Sequence, residues 1–423
     1  LLYHLKNRMV DFYVFEGGGN ILMRFHQKIC DLIEDREDLT LTTVAEKIDV
    51  PLQYMSKFKK QGTISFCNLL KLSHVMSVDT AESKKMMHNW CLELNSTELI
   101  KQSFEYAAII RDIELLNALI NKYSSEETSI REYVGVYKIL YDYMKDALQG
   151  NDIEIELDRY GKIQDPVLRV LSDIMKCYNY YFDKNFERML TIGNEIENSI
   201  LTVSESRKLF IRNCYIHRVA ELFCTVCLQL NDLEATRHYA YIIINANICN
   251  KTVADAYYRL GMSYLTEDKK MCLEYLERSH EVAQKSGIFE LEQETKHNLI
   301  LAKIYYEDRV LNFTEIDQIK KAFYQKDDDD FVIFFKAIAS KDYGIMHEVL
   351  EQFFAQSNYF FAGLIARKLY NGGDSHPTLK WIMGYKKEKR GINFEKNCIS
   401  NLCNDIHITN NGQSARNKEL SIE

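Results

Sequence analysis

Apolar residues recur at three- and four-residue spacing along most of the chain after Asn95, which is the period of an amphipathic α-helix. Residues that break helices are scarce, because only 3 prolines and 17 glycines occur among 423 residues. A β-rich fold needs turn residues every ~8–12 positions. The pattern therefore predicts an all-α fold.

Weak internal repetition in this region indicates paired helices of the tetratricopeptide type. The best copy is Leu260-Gly261-Met262-Ser263-Tyr264, in which Gly261 permits the close approach of a second helix. The small or apolar positions of that second helix are Cys272, Leu276 and Ser279. Further second helices are predicted to begin at a capping Asp or Asn, namely Asp112, Asn185, Asp232 and Asp342. Such repeats stack into a superhelix whose concave face commonly binds peptides.

Residues 41–60 follow a different pattern, which is typical of a helix-turn-helix unit. Asp49 takes the turn position, where a left-handed backbone is needed, and Pro51 begins the second helix. Ala45 supplies the small residue that is needed where the two helices cross. The inward positions are all small or apolar: Val44, Ala45, Ile48, Val50, Met55 and Phe58.

The outward side of the second helix carries residues suited to DNA recognition. Gln53 and Ser56 offer hydrogen-bonding groups that read base edges, while Lys57 and Lys60 offer charges for phosphates or guanine. The stretch 52–78 contains four lysines and no acid, although the whole chain has a net charge of −8. This local excess of positive charge favours a DNA-binding surface. The alternative is a generic helical hairpin with a solvated lysine face.

The reactive residue types indicate neither an enzyme nor a metal site. Cys224 and Cys227 lie in an apolar helical run and are predicted to be buried thiols. The acids Asp327 to Asp330 lack the spacing of a calcium loop and are predicted to lie at a helix N-terminus. The sequence has no phosphate-binding glycine loop and no nucleophile motif. We therefore expect no metal, no cofactor and no catalytic residue.

The two ends of the chain differ from its middle. Glu16-Gly17-Gly18-Gly19 shortly precedes Met23, so we interpret Met23 as the natural start and residues 1–22 as upstream sequence read in frame, with a flexible arm as the alternative. No run of ~18 apolar residues occurs, so no membrane is expected as a partner. The odd count of 11 cysteines fits the reducing cytoplasm. The predicted segments are an upstream segment 1–22, a helix-turn-helix domain 23–95, a tetratricopeptide-like domain 96–390, and a polar tail 391–423 for which disorder is the expectation.

The combination of these two parts is the plan of the peptide-sensing regulators of Gram-positive bacteria. Within that group the chain resembles the AimR-type arbitrium receptors of temperate Bacillus phages. The resembling stretches are ordered along the chain from Thr42 to Arg390: Trp90-Cys91-Leu92-Glu93-Leu94, Phe104-Glu105-Tyr106-Ala107, residues 132–139, Ile211-Arg212-Asn213 with Arg218, and Gly261-Met262-Ser263-Tyr264-Leu265. The resemblance implies a homodimeric transcription factor that binds an operator in double-stranded DNA. It also implies control by a short secreted peptide, typically ending Arg-Gly-Ala, whose binding removes activation and turns the phage from lysis to lysogeny.

The resemblance further implies four peptide-binding residues. Asn213 would hydrogen-bond the peptide backbone, Arg237 would pair with the C-terminal carboxylate, and Asp374 would hold the arginine of the peptide. Asn247 matches a second asparagine of the family, with Asn245 as the alternative because the local spacing is one residue short. Two other classes stay open, namely a repeat scaffold that binds a protein partner without DNA, and a peptide-regulated phosphatase, which has an N-terminal helical bundle in place of the lysine-bearing hairpin.

Overall fold

The computed structural model describes residues 24–125, 130–148, 150–203, 209–307, 309, 311–323 and 328–385. The predicted upstream segment, Met23, Asp327 and the predicted polar tail lie outside the described residues. Within the described ranges the chain forms 21 α-helices, one short 3-10 helix and no strand, which confirms the predicted all-α class. None of these helices is long and apolar enough to cross a membrane.

The chain divides between Leu94 and Asn95 into two compact units. The described helices of the first unit are α1 (Phe25–Glu34), α2 (Leu41–Lys47), α3 (Leu52–Gln61), α4 (Phe66–Met76) and α5 (Thr80–Glu93). Those of the second unit are α6 (Thr97–Ile109), α7 (Ile113–Tyr123), α8 (Ile130–Met144), α9 (Ile153–Tyr160), α10 (Pro166–Phe182), α11 (Phe186–Thr202), α12 (Leu209–Gln229), α13 (Leu233–Ala246), α14 (Asn250–Ser263), α15 (Lys269–Ser286), α16 (Phe289–Tyr306), α17 (Phe313–Ala322), α18 (Asp330–Ala339), α19 (Tyr343–Ala355), α20 (Tyr359–Asn371) and α21 (Pro377–Met383).

A tight turn joins α2 to α3 in the first unit. Asp49 has a φ of 57° in this turn, which confirms the predicted left-handed residue. Pro51 lies directly before α3, and Gly62 ends that helix with a φ of 71°. Five of the six predicted inward side chains are buried, and Val50 is partly exposed because it lies in the turn itself.

A recurring turn connects helices in the second unit. At five places the second residue after a helix has positive φ, and the residue that follows it is an Asp or Asn whose side chain accepts a hydrogen bond from the first turn of the next helix. The positive-φ residues are Arg111, Lys184, Asn231, Lys341 and Ser357, and the caps are Asp112, Asn185, Asp232, Asp342 and Asn358. Four of these caps are the predicted helix starts, so those predictions are confirmed. The repeated turn lets successive helices fold back on each other.

The longest helix, α12, is the packing centre of the second unit. Within the described residues it packs against α6, α10, α11, α13, α14 and α20. Cys224 and Cys227 are buried on it, as predicted. Because α12 contacts helices that lie far away along the chain, a side chain on it can meet residues from several repeats.

Gly261 brings α14 against α15, as its place in the repeat predicts. A Cβ atom at this position would lie 2.9 Å from Leu276 Cγ and 3.0 Å from the carbonyl oxygen of Cys272. The predicted second-helix residues Cys272, Leu276 and Ser279 are all buried. Neither contact is with the flexible end of a long side chain, so an added methyl group requires the two helices to separate.

We expect Gly261→Ala to lower the free energy of unfolding by about 1–3 kcal/mol, because the added methyl group overpacks this contact. Urea unfolding followed by circular dichroism measures the change. The matched control is Gly384→Ala, since an added Cβ there has no atom within 4 Å and the backbone φ is −104°. Equal effects of the two substitutions would contradict the role given to Gly261.

Candidate functional site

The predicted recognition residues lie on one helix of the first unit. Gln53, Lys57 and Lys60 are exposed on α3, and Ser56 is partly exposed. Their helix is anchored from its other side by Met55 and Phe58, whose exposed fractions are both 0%. The arrangement leaves the outward side of α3 available for a large ligand.

The lysines of this unit divide into two groups. Lys59 forms an ion pair with Glu34, and Lys71 Nζ donates to the carbonyl oxygen of Ile48 at 3.2 Å. Lys57 and Lys60 pair with none of the acids that the structure describes. Positive charge on the outward side of α3 is therefore uncompensated at the two positions predicted for DNA contact.

The second unit contains a set of charged residues that the sequence analysis did not identify. Arg111, at the turn before α7, donates from Nη2 to Glu221 Oε1 of α12 at 2.9 Å. Asp255 and Arg259 lie one helical turn apart on α14, which packs against α12. All four side chains keep some exposed surface. We call Arg111, Glu221, Asp255 and Arg259 the charged seam.

The electrostatics of the charged seam are uneven. Burial alone would raise the pKa of Glu221, but nearby basic groups, Arg111 first among them, outweigh it and lower that pKa. Burial raises the pKa of Asp255 even though Arg259 opposes the change. The seam thus holds one carboxylate that is well compensated and one that is not.

Two further carboxylates of the second unit have a pKa raised by burial, and one of them, Glu294, lies within the field of the seam residue Asp255. Burial and the charge of Asp255 raise the pKa of Glu294 on α16. Burial also raises the pKa of Asp330 at the start of α18, with a further contribution from Asp329, while a hydrogen bond from Asn358 opposes it. Carboxylates that are desolvated and close to each other favour the arrival of a cation. A ligand with a guanidinium or ammonium group suits the acidic end of the seam, which we define as Asp255 with the neighbouring Glu294.

The predicted residue Asn213 lies on α12, two helical turns before Glu221. Its exposed fraction is 8%, and its Oδ1 atom is buried without a hydrogen bond to any described residue. An unpaired buried amide oxygen is unfavourable. This observation agrees with a ligand-binding role.

The predicted residue Arg237 is engaged within the protein. Its Nη2 atom lies 2.5 Å from Glu267 Oε2 and 2.6 Å from the carbonyl oxygen of Ser263. Nε donates to Ser263 Oγ at 3.0 Å, and the guanidinium lies 3.8 Å from the ring centroid of Tyr264. A ligand carboxylate would therefore have to exchange with Glu267, whose side chain is half exposed.

Asn247 and Asn245 differ in backbone geometry although both are exposed. Asn247 ends α13 with a φ of 46° and donates its N–H to the carbonyl oxygen of Ile243. Asn245 lies inside the last turn of α13. Only Asn247 has a backbone conformation that favours asparagine or glycine.

Asp374 follows α20 and is held by two partners. Oδ2 lies 2.8 Å from His347 Nε2, and Oδ1 accepts from the backbone N–H of His376 at 3.0 Å. The hydrogen bond from His376 and then that from His347 lower the pKa of Asp374. The carboxylate is thus ionised and oriented, as the binding of an arginine requires.

No polar contact among the described residues joins any two of these four predicted positions. Asn213 and the seam residue Glu221 share α12, whereas Arg237 lies in the second turn of α13, Asn247 follows the end of that helix, and Asp374 lies beyond α20. One signal for the seam was present in the sequence, since Glu221 is the only charged residue in the largely apolar run from Val219 to Leu228. Its hydrogen-bonded partner Arg111 is 110 residues away along the chain, so spacing alone did not reveal it.

Comparison with known proteins gives a consistent family. A family model described as AimR transcriptional regulator-like matches residues 83–330. Two curated proteins are each 27% identical over 194 residues, which are 45% of this chain and 48% of theirs. They are the AimR transcriptional regulator of Bacillus phage SPbeta and the SPbeta prophage-derived uncharacterized protein YopK of Bacillus subtilis strain 168. The chain thus matches about half the length of these relatives.

Solved structures share the fold. Selenomethionine-labelled phAimR superposes with a TM-score of 0.63 at 18% identity, covering 85% of this chain and 100% of its own. The structure of phAimR with ligand gives a TM-score of 0.59 at 19% identity, covering 74% of this chain and 98% of its own. The helical architecture that this chain shares with these structures therefore covers most of its length.

Proposed function

The chain belongs to the AimR transcriptional regulator-like family, and from this premise we propose that it is a DNA-binding transcription regulator controlled by a short peptide. The observation that carries the proposal is the match to this family over residues 83–330. A phAimR structure with ligand has the same fold, which supports a ligand-binding role for the second unit. The proposed outcome of regulation is the choice between lysis and lysogeny.

The proposed DNA-binding domain is the first unit, within residues 23–95. We place α3 in the major groove, with Gln53 and Ser56 toward base edges and Lys57 and Lys60 toward phosphates or guanine. The exposure of Gln53, Lys57 and Lys60, the partial exposure of Ser56 and the tight turn at Asp49 support this placement. A homodimer would present two such helices to two half-sites of an operator in double-stranded DNA.

The proposed peptide-binding domain spans residues 96–390. Asn213 would donate to and accept from the peptide backbone, and Asn247 would supply a second amide. The arginine of a peptide ending Arg-Gly-Ala would pair with Asp374 or with the acidic end of the charged seam. Its C-terminal carboxylate would take the place of Glu267 on Arg237. The family gives no reason to add a catalytic step or a cofactor to this proposal.

The proposal is tested by titrating the full chain onto labelled DNA fragments that tile its own gene neighbourhood. Each titration is repeated with synthetic short peptides ending in Arg-Gly-Ala. Specific binding that one peptide relieves is the expected result. Binding that no peptide changes would contradict peptide control, and absence of binding at low salt would favour a repeat scaffold for a protein partner.

The competing asparagines are separated by a matched pair of variants. Asn247→Gly removes the amide but keeps a residue that tolerates positive φ, and we expect about tenfold weaker peptide binding, the value of one good hydrogen bond. Asn245→Ala on the same helix should leave the peptide Kd unchanged. Isothermal titration calorimetry measures both constants. The reverse outcome would assign the role to Asn245.

A further inference from the structure

The guanidinium of Arg237 is fixed on three sides by residues at the end of α14. Its face lies 3.8 Å from the ring centroid of Tyr264, and Nη2 donates to the carbonyl oxygen of Ser263 at 2.6 Å. Nε donates to Ser263 Oγ at 3.0 Å. That hydroxyl donates in turn to the carbonyl oxygen of Leu260 at 2.7 Å, so it acts as an acceptor toward Arg237. These contacts hold the guanidinium in one orientation without any contribution from Glu267.

The aromatic ring that contacts Arg237 is itself held in place. Tyr264 stacks on Tyr275 of α15, with ring centroids 5.8 Å apart and an angle of 25° between the ring planes. Tyr275 Oη lies 2.8 Å from Tyr241 Oη of α13. Residues of α13, of α15 and at the end of α14 therefore support the position of this cation together. A cation that is oriented in advance is the main requirement of an anion-binding site.

The remaining partner of Arg237 is the carboxylate of Glu267, which is bound less completely. The exposed fraction of the Glu267 side chain is 50%, against 23% for that of Arg237. Glu267 Oε2 lies 2.5 Å from Arg237 Nη2, whereas neither Glu267 Oε1 nor Arg237 Nη1 forms a hydrogen bond with a described residue. The ion pair thus uses one carboxylate oxygen and one terminal nitrogen, and it is accessible from solvent.

The backbone that carries Glu267 is fixed independently of its side chain. The N–H groups of Glu267 and Asp268 donate to the carbonyl oxygen of Tyr264 at 3.0 and 2.9 Å, and Asp268 Oδ1 accepts from the N–H of Met271. A rotation of the Glu267 side chain therefore breaks the ion pair without disturbing the turn or either helix. Exposed ion pairs contribute little to stability, so this rotation has a small cost.

A ligand carboxylate and Glu267 compete for the same edge of Arg237. A ligand whose two oxygens reach Nη1 and Nη2 forms two parallel hydrogen bonds, whereas Glu267 forms one. A neutral carboxamide lacks the charge that is needed to displace Glu267. The displaced Glu267 carboxylate stays close to a bound carboxylate and repels it, which lowers the affinity below that of an Arg237 without a competitor.

We propose that Glu267 is an internal competitor, which occupies the ligand position on Arg237 and makes this site select a carboxylate over a neutral group. The inference rests on the proposed function, in which Arg237 takes the C-terminal carboxylate of a peptide. It adds that the chain lowers its own affinity for that peptide, so a higher peptide concentration is needed to change DNA binding. It also explains why Arg237 is engaged within the protein although it lies at a proposed ligand site.

The test compares a synthetic peptide ending in Arg-Gly-Ala with the same peptide carrying a C-terminal carboxamide. Isothermal titration calorimetry measures the Kd of both peptides for the full chain and for its Glu267→Gln variant. We expect the variant to bind the carboxylate form about three- to tenfold more tightly, because the competing charge is gone. The Kd of the carboxamide form should change less than about twofold. An unchanged or increased Kd of the carboxylate form would overturn the proposal.

Two further variants serve as controls. Glu274→Gln removes the same charge from another exposed ion pair, in which Glu274 Oε1 of α15 lies 2.6 Å from Arg278 Nη2. Both Kd values should stay within about twofold of the wild type in this control, and a gain equal to that of Glu267→Gln would contradict a specific competitor. Arg237→Gln should abolish the difference between the two peptides. A difference that persists in this variant would place the carboxylate elsewhere and would refute the inference.

The same titrations separate this inference from the proposed function. If neither peptide binds the wild-type chain or the Glu267→Gln variant, peptide control fails and the internal competitor fails with it. If the carboxylate form binds the wild-type chain and relieves DNA binding, but Glu267→Gln leaves its Kd unchanged, the proposed function stands and only the competitor is refuted.

Discussion

Replacing both Lys57 and Lys60 with alanine is expected to weaken operator binding by about ten- to a hundredfold at moderate salt, because two phosphate contacts are lost. Both side chains are exposed on α3 and pair with no acid in the part of the chain that the structure describes. Their charge is therefore available to a DNA backbone without breaking an internal ion pair. The slope of log Kd against log salt concentration should fall by about one unit for each lysine removed. Fluorescence anisotropy at several salt concentrations measures both quantities.

The control for this experiment is Lys84→Ala/Lys85→Ala. These two lysines are exposed on α5 of the same unit, so the change in net charge is identical. A specific contact surface on α3 predicts a large effect of the first pair and a small effect of the second. If the two pairs weaken binding equally, the interaction depends on net charge and not on α3.

The second large expected effect concerns Glu197 of α11. Burial raises the pKa of this carboxyl from 4.5 to about 9, and Oε1 is buried without a hydrogen bond to a described residue. Between these two pH values the folded protein keeps a proton that the unfolded chain releases. The contribution of Glu197 to stability is therefore fully present below pH 4.5 and is lost as the pH rises toward 9.

Glu197→Gln should remove this pH dependence, because the amide stays neutral at every pH. We expect the variant to be more stable than the wild type by about 2 kcal/mol near pH 8, with little difference near pH 4.5. Urea unfolding at a series of pH values measures the difference. Glu195→Gln, an exposed position on the same helix, is the control and should not change the pH profile. A parallel profile for Glu197→Gln and wild type would contradict the raised pKa.

The local features of the fold were predictable because they depend on neighbouring residues. Four predicted capping residues do cap helices, because a short polar side chain at this position accepts a hydrogen bond from a free backbone N–H of the first turn. They are Asp112, Asn185, Asp232 and Asp342. The turn at Asp49 follows from the same kind of local chemistry, because few non-glycine residues tolerate its backbone. These elements need no knowledge of what packs against them.

The candidate site was less accessible to sequence reasoning because it is assembled from distant repeats. Arg111 meets Glu221 across 110 positions, and Arg218 meets Glu105 across 113. The spacing of residues within one helix does not encode such partners. The partners of Arg237 were equally hidden from sequence reasoning. Ser263 lies at the end of the next helix, and Glu267 lies in the turn after it. The sequence identified it as a cation but not as one already engaged.

The recurring turn of the second unit has a consequence for engineering. At a residue with positive φ, glycine relieves the steric cost of the left-handed backbone, so a design that aims only at thermostability would choose glycine at all five turns. At four of these turns, the residue with positive φ is not part of the charged seam. At Arg111 the same exchange would leave Glu221 without its hydrogen-bonded cation. At this one turn, the substitution that relieves backbone strain also removes a charge from the candidate ligand site. A variant stabilised in this way would therefore lose part of its proposed recognition surface.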